Sequence, residues 1–333
     1  MNSQLHHDSI EEVQGSFRGC RFSDDEEEVR GFLKGVEEGA FDGGGWSFRG
    51  LKSAKYKLLT SLQREWVKRE LANDGLNYGH FVHELLDATR RLQAQCDDGV
   101  PEEIRAIEDW NELGLLSYLQ HYDCPTPLLD FTTDIRIALF FAIQELKAEE
   151  VDSDLDQYLS IYSFHEDILK VTNGGLLSKW KEHVESRFMD TRTAAASFQV
   201  MTIVPVLVHD KGWYDKHFGY DVIPLYNNER IEAQKGLFIS NSTPTRGILD
   251  AVYDFVEQNG AEEKTLQSIK TYVNCMSIHR KFVPLIEDWL RQSVPWCTVE
   301  HLLPKRPEHD RVKALFLEVL KRMKANAHND HGA

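Results

Sequence analysis

One stretch, Leu119 to Ile143, constrains the fold more than any other. It runs Leu-Gln-His-Tyr-Asp-Cys-Pro-Thr-Pro-Leu-Leu-Asp-Phe-Thr-Thr-Asp and then Ile-Arg-Ile-Ala-Leu-Phe-Phe-Ala-Ile. His121 and Tyr122 close an amphipathic helix. Pro125 and Pro127 cannot continue it, because proline lacks an N–H and bars the α region to the residue before it, so the chain must turn and extend. Leu128-Leu129 is too short to stand alone as a strand but apolar enough to be buried. Asp130 to Asp134 offers hydroxyls and carboxylates suited to capping a helix. Ile135 to Ile143 is apolar on nearly every face apart from Arg136, the pattern of a helix in the domain centre. Polar side chains beside the unpaired N–H groups of a buried helix suit an anionic ligand. A plain capped core helix uses the same residue types, and both readings stay open at this level.

The flanking chain supplies short strands and amphipathic helices in irregular alternation. Residues 1–23 read as a loose polar arm. The acidic run Asp24 to Glu28 suits a helix first turn, followed at helical spacing by Val29, Phe32, Leu33 and Val36. Gly43 to Gly45 breaks that pattern. Trp46-Ser47-Phe48-Arg49-Gly50 reads as a strand with Arg49 and Phe48 on opposite faces, and Gly50 permits a close backbone approach. Helices are expected over Tyr78–Cys96 and Trp110–Tyr122, and strands over Gln157–Phe164, Val200–Val208 and Leu237–Ile239. The helical spacing of Ile248 to Val256 follows, then a strand over Thr271–Ile278 and a proline-opened helix over Pro284–Leu290. Arg311–Ala325 is an amphipathic helix, and Asn326–Ala333 reads as a disordered tail. Without regular βαβ periodicity the class is α+β: a small mixed or antiparallel sheet surrounded by helices, in a single domain over residues 24–325.

Composition narrows the function. A net charge of −16 argues against bulk nucleic-acid binding, which needs a basic surface. No apolar run reaches the roughly 20 residues that span a bilayer. The five cysteines are scattered without a Cys-x-x-Cys pair, which points to reduced thiols in a cytoplasm, and no metal is expected. Against the acidic background, Arg49, Lys52, Lys55, Lys57, Arg64, Lys68 and Arg69 stand opposite Glu65 alone within residues 49–69. Such a stretch is either an exposed helix face or a field drawing an anionic ligand toward Arg49, whose planar fork binds phosphate through two donors. His121 sits in a helical last turn, where the dipole favours its protonated form.

Three motifs in order resemble the FRG domain family. They are Phe48-Arg49-Gly50; His121-Tyr122 through Pro125-Thr126, Leu128-Leu129-Asp130 and Thr132; and Arg230, Gln234, Gly236 and Phe238 in an Arg-x-x-x-Gln-x-Gly-x-Phe spacing. The resemblance extends from about Phe41 to about Pro304. It departs at Asp123, where Gly is usual, at Pro127, where Arg is usual, and at Phe131, where Trp is usual. The order of an early Arg-Gly strand, a middle aromatic turn and a late Glu-x-Gln is similar to that of the ADP-ribosyltransferases. That similarity implies an NAD-consuming enzyme of ADP-ribosyltransferase or NAD-glycohydrolase type, such as a bacterial toxin or anti-phage effector. NAD is then the substrate and a protein the acceptor or regulator. Arg49, Tyr122, Thr126, Thr132, Arg230 and Gln234 would bind the anionic, nucleotide-like ligand. The catalytic group would be among Glu232, Asp130 and His121. Glu232 precedes Gln234, the reverse of the usual Gln-x-Glu order. The alternative is a non-catalytic module binding a nucleotide or a protein.

Overall fold

Among the described residues the strands are β1 (Cys20–Ser23), β2 (Trp46–Leu51), β3 (Leu128–Thr132), β4 (Tyr158–His165), β5 (Gly236–Ser240) and β6 (Val273–His279). They form one mixed sheet in the order β1-β6-β4-β2-β3-β5, with β1 parallel to β6 and the other pairs antiparallel. The protein is thus α+β. The structure, a computed structural model, describes residues 4–16, 20–42, 45–95, 104, 112–144, 146, 153–165, 229–241, 244–248, 250, 273–303 and 310–330. The expected strand Val200–Val208 and most of the helical pattern after Ile248 lie outside the described residues.

Among the described residues the helices are α1 (Ile10–Ser16), α2 (Glu26–Glu37), α3 (Ser61–Lys68), α4 (Tyr78–Gln93) and α5 (Glu112–His121). After them come α6 (Ile135–Ile143), α7 (Glu229–Ala233), α8 (Val283–Ser293), α9 (Val299–Leu302) and α10 (Asp310–Asp330). None is long and apolar enough to cross a membrane. Among the described residues, two apolar clusters carry much of the core. In one, Val312, Leu315, Phe316, Val319, Leu320 and Met323 of α10 pack with Phe81, Leu85 and Leu92 of α4 and Leu119 of α5. In the other, Ala138, Leu139 and Ala142 of α6 meet Phe48 of β2, Leu159 and Ile161 of β4 and Ile286 of α8. The central apolar helix read from the sequence therefore lies on one face of the sheet.

Gly50 fixes how close that helix lies. A Cβ built there would come within 1.9 Å of the Ala138 carbonyl oxygen and 3.0 Å of the Ala142 Cβ. No side chain fits at position 50, and there the strand is held against the helix backbone.

Four expectations need correction. Residues 20–23, read as part of a loose arm, form the strand β1, which gains its ladder from β6. His7 in the same arm is buried, and its backbone N–H donates to the Lys55 carbonyl at 2.8 Å. At the other end, the helix continues past Asn326 to Asp330. Leu128-Leu129 does not stop short of a strand: β3 continues to Thr132 because β5 pairs along its whole length, from Leu128↔Ser240 to Thr132↔Gly236. Asp130 accordingly lies within a strand and does not cap α6. Asp134 is the cap, its Oδ1 accepting from the Arg136 N–H at 3.0 Å.

Candidate anion-binding site

Arg49 projects from β2 on the side opposite Phe48, which is buried against α6. Pairing between β2 and β3 is confined to Phe48↔Thr132, and beside it the Arg49 side chain reaches across to β3. Its Nη1 donates to the Asp130 carbonyl at 2.5 Å and lies 3.7 Å from Asp130 Oδ2. Its Nε is buried and finds no partner among the described residues. The side chain is 18% exposed, and that of Asp130 is 46% exposed, so the arginine is the buried member of the pair. Burial pulls the guanidinium down to about 10, opposed by the Asp130 carboxylate and assisted by repulsion from Arg64. It remains charged at neutral pH.

A small relay of hydrogen bonds fixes Asp130. Gln120 Nε2 donates to Asp130 Oδ2 at 2.9 Å. The amide is held in that orientation because its Oε1 accepts from Thr126 Oγ1 at 2.5 Å and from Ser61 Oγ at 3.2 Å. Thr126 is fully buried, and its N–H donates to Ser61 Oγ at 3.0 Å. The helix α5, the turn after it and the start of α3 are thereby tied to the carboxylate. Asp130 Oδ1 has no hydrogen bond among the described residues, and the side chain is half-exposed.

The basic stretch separates into two populations. Lys55 pairs with the buried Asp156 at 2.8 Å, Lys57 with Glu12 at 3.1 Å, and Lys68 and Arg69 both with Glu65 at 3.8 and 2.8 Å. These charges are spent in ion pairs, and most of the field expected around Arg49 goes with them. Arg64 is different. It is half-buried, donates Nη1 to the Leu59 carbonyl at 2.6 Å, and lies within electrostatic reach of both Asp130 and Arg49. Burial lowers its pKa, and attraction to Asp130 and then Glu65 opposes the shift.

The third motif joins the second, through backbone contacts. Arg230 Nη1 donates to the His121 carbonyl at 3.4 Å, and the His121 ring meets Phe238 edge-on at 5.7 Å. Phe238 is the β5 partner of Asp130, which puts His121 on the flank of the site. Thr132 and Gln234 face other tasks. The buried Thr132 donates to the Gln234 carbonyl at 2.7 Å, and Gln234 Nε2 donates to the Leu302 carbonyl at 2.8 Å. Tyr122 is packed in the core beside Tyr118, with ring centroids 4.5 Å apart, and has no open face for a ligand to stack on. The Glu232 side chain lies outside the described residues. Of the expected site residues, then, Arg49 and Asp130 are in contact and Thr126 supports them through Gln120. Sequence reading missed Gln120 and singled out Arg64 only as one charge among seven. A glutamine directly before His121, after the apolar Tyr118-Leu119, was the available signal.

Residues 44–151 match the family model of the FRG domain. The chain carries an FRG domain. The matched segment contains the first two motifs and every member of the Arg49–Asp130–Gln120 relay, and it ends before Arg230. Among curated proteins and among solved structures, none matches the chain. Two of the three departures from the usual FRG wording, Asp123 and Phe131, have local explanations. Asp123 has φ +60°, the left-handed conformation that a glycine there adopts freely. It follows the last turn of α5, where the Cys124 N–H donates to the Leu119 carbonyl at 3.0 Å and the Asp123 N–H to that of Gln120 at 3.4 Å, closing the helix as a Schellman motif. Aspartate tolerates this conformation better than most residues. Phe131 is buried edge-on against Phe164 at 5.2 Å, a core position that needs no indole donor.

Proposed function

We propose that the chain cleaves the bond between nicotinamide and ribose in NAD, transferring the ADP-ribosyl group to a protein acceptor or to water. The observation that carries this reading is the pair of Arg49, a buried guanidinium with a free Nε, and Asp130, a half-exposed carboxylate 3.7 Å away. Arg49 would hold the anionic part of the dinucleotide. Asp130, held in place by Gln120, would face the ribose. Breaking the C1′–N bond sends its electron pair to nicotinamide and leaves positive charge on the sugar, which a carboxylate stabilises as in glycoside cleavage. The acceptor's lone pair then forms the new bond to C1′, and its proton passes to solvent. The FRG domain match fits this reading without specifying it, and the ADP-ribosyltransferase likeness rests on motif order alone. Incubation of the purified full chain with NAD, followed by chromatography for free nicotinamide, tests it. Release above the spontaneous rate is expected; none at any enzyme concentration refutes it.

A second reading is a non-catalytic nucleotide-binding module. It is favoured by the engagement of Asp130 Oδ2 with Gln120 and Arg49, which leaves only Oδ1 for chemistry. It predicts saturable NAD binding without nicotinamide release.

A further inference from the structure

We infer that Cys20 and Cys275 form an oxidation site, a thiol pair that a peroxide converts to a disulfide locking β1 to β6. The inference does not depend on how Arg49 is read.

Position is the first reason. Among the described residues β1 is a four-residue strand at the edge of the sheet, and β6 is its one partner there. Cys20 pairs directly with Cys275 in that parallel ladder, so the two side chains stand on the same face of the sheet. Neighbouring strands lie about 4.8 Å apart, within the roughly 4.4–6.8 Å between Cα atoms that a disulfide spans. Both sulfurs lie against one hydroxyl: Cys20 Sγ is 3.6 Å and Cys275 Sγ 3.7 Å from the Oγ of Ser277, two residues further along β6. Ser277 is fully buried and shares a hydrogen bond of 2.8 Å with Ser160 Oγ on β4, which holds it in place.

Reactivity is the second reason. The thiolate is the form that attacks an oxidant. A hydrogen bond from the Cys275 thiol lowers the Cys20 pKa; burial opposes this, and a bond from Ser277 assists it. The other three described cysteines shift the other way, each first through burial: Cys124 and Cys297 to about 12, and Cys275 well above its ordinary value. Cys20 also keeps 9% of its surface open against 2% for Cys275, so it meets the oxidant first. Its thiolate attacks one oxygen of hydrogen peroxide and breaks the O–O bond. That gives Cys20 sulfenic acid and hydroxide, which takes up the proton shed by Cys20 as water. The Cys275 sulfur then displaces hydroxide from the Cys20 sulfur, forming the S–S bond and, with its own proton, a second water. The two thiols lose two electrons and the peroxide gains them.

Peptide mapping by mass spectrometry tests the inference on the full chain, reduced, treated with hydrogen peroxide and then blocked at its remaining thiols with N-ethylmaleimide. A Cys20–Cys275 linked peptide is expected, abolished by dithiothreitol and at least tenfold more abundant than any other cysteine pairing. In urea, which separates the strands, its yield should fall at least tenfold. Cys275→Ser should leave a Cys20 sulfenic acid that dimedone captures. Cys20→Ser should remove the cross-link without leaving a sulfenic acid at Cys275, and Cys297→Ser should change neither result. Each variant is checked for folding by circular dichroism, and if one fails to fold the wild-type maps with and without urea decide. The oxidised wild type should also melt at a higher temperature than the reduced, because the bridge closes a long loop in the unfolded chain. Absence of the linked peptide, its formation as readily in urea, or faster oxidation of Cys124 or Cys297 than of Cys20 overturns the inference.

Discussion

Gly50→Ala offers a direct check on how β2 is placed. The added methyl would sit 1.9 Å from the Ala138 carbonyl oxygen and 2.9 Å from its carbonyl carbon. Both are backbone atoms in the middle of α6, so no rotamer change relieves the clash. Helix and strand must separate by at least about 1 Å, an order-of-magnitude figure set by the ordinary van der Waals limit. Opposing this, alanine restricts the unfolded chain and returns about 0.4–1 kcal/mol where its conformation fits. Ordinary overpacking costs about 1–3 kcal/mol. Here the obstacle is backbone and the displaced interface includes Phe48, Leu139 and Ala142, so a net loss of at least about 2–3 kcal/mol is expected. Urea unfolding followed by far-ultraviolet circular dichroism measures it. The shift of β2 should also disturb Arg49, the next residue, and weaken anion binding. A midpoint within about 0.5 kcal/mol of wild type, the range of ordinary surface substitutions, would refute the packing described.

Two further outcomes follow from the local chemistry. Asp134 is buried, and its Oδ2 accepts from Arg136 Nη2 and from Lys235 Nζ, each at 2.7–2.8 Å. Burial alone would raise its carboxyl, but hydrogen bonds from Arg136 and then Lys235 more than offset that and hold its pKa lowered. Its stabilising contribution is therefore complete above the ordinary carboxylate pKa of about 4 and is lost as the pH falls through the depressed folded value. Wild type should lose stability over that acid range more steeply than Asp134→Asn, and parallel pH profiles from melting curves would contradict this. At Asp123, with φ +60°, alanine should be less stable than glycine by about 1 kcal/mol, the left-handed penalty, as read by thermal denaturation; equal melting would mean the turn after α5 is not held in that conformation.

The sequence showed helices best where a periodic apolar face meets one partner. The six inward residues of α10 and those of α4 read directly from spacing because helix–helix packing selects for it. Strands whose ladders come from far along the chain were harder. β1 is four residues paired with Cys275–Ile278, and nothing in Cys20–Ser23 signals that partner. Asp130 and Thr132 are capping residue types, yet β5, about a hundred residues on, draws them into a strand and leaves the cap to Asp134. Within the site, Arg49 and Asp130 were legible as polar residues set in apolar elements. Tyr122, Thr132 and Gln234 share that appearance but satisfy the core and the backbone, a distinction that depends on tertiary contacts alone. Gln120 acts only through Asp130 and Thr126, so its role has no motif of its own.

The measurement closest to the central claim is nicotinamide release from NAD by wild type, Arg49→Lys, Arg49→Ala and Asp130→Asn, with unchanged circular dichroism required of each. If Arg49 holds the dinucleotide through a planar fork and Asp130 stabilises the ribosyl charge, lysine rescues little. Arg49→Lys should then fall nearly as far as Arg49→Ala, by tenfold or more in kcat/KM, while Asp130→Asn should lose turnover but still bind NAD. Full activity in Arg49→Lys, or in Asp130→Asn, would contradict the account.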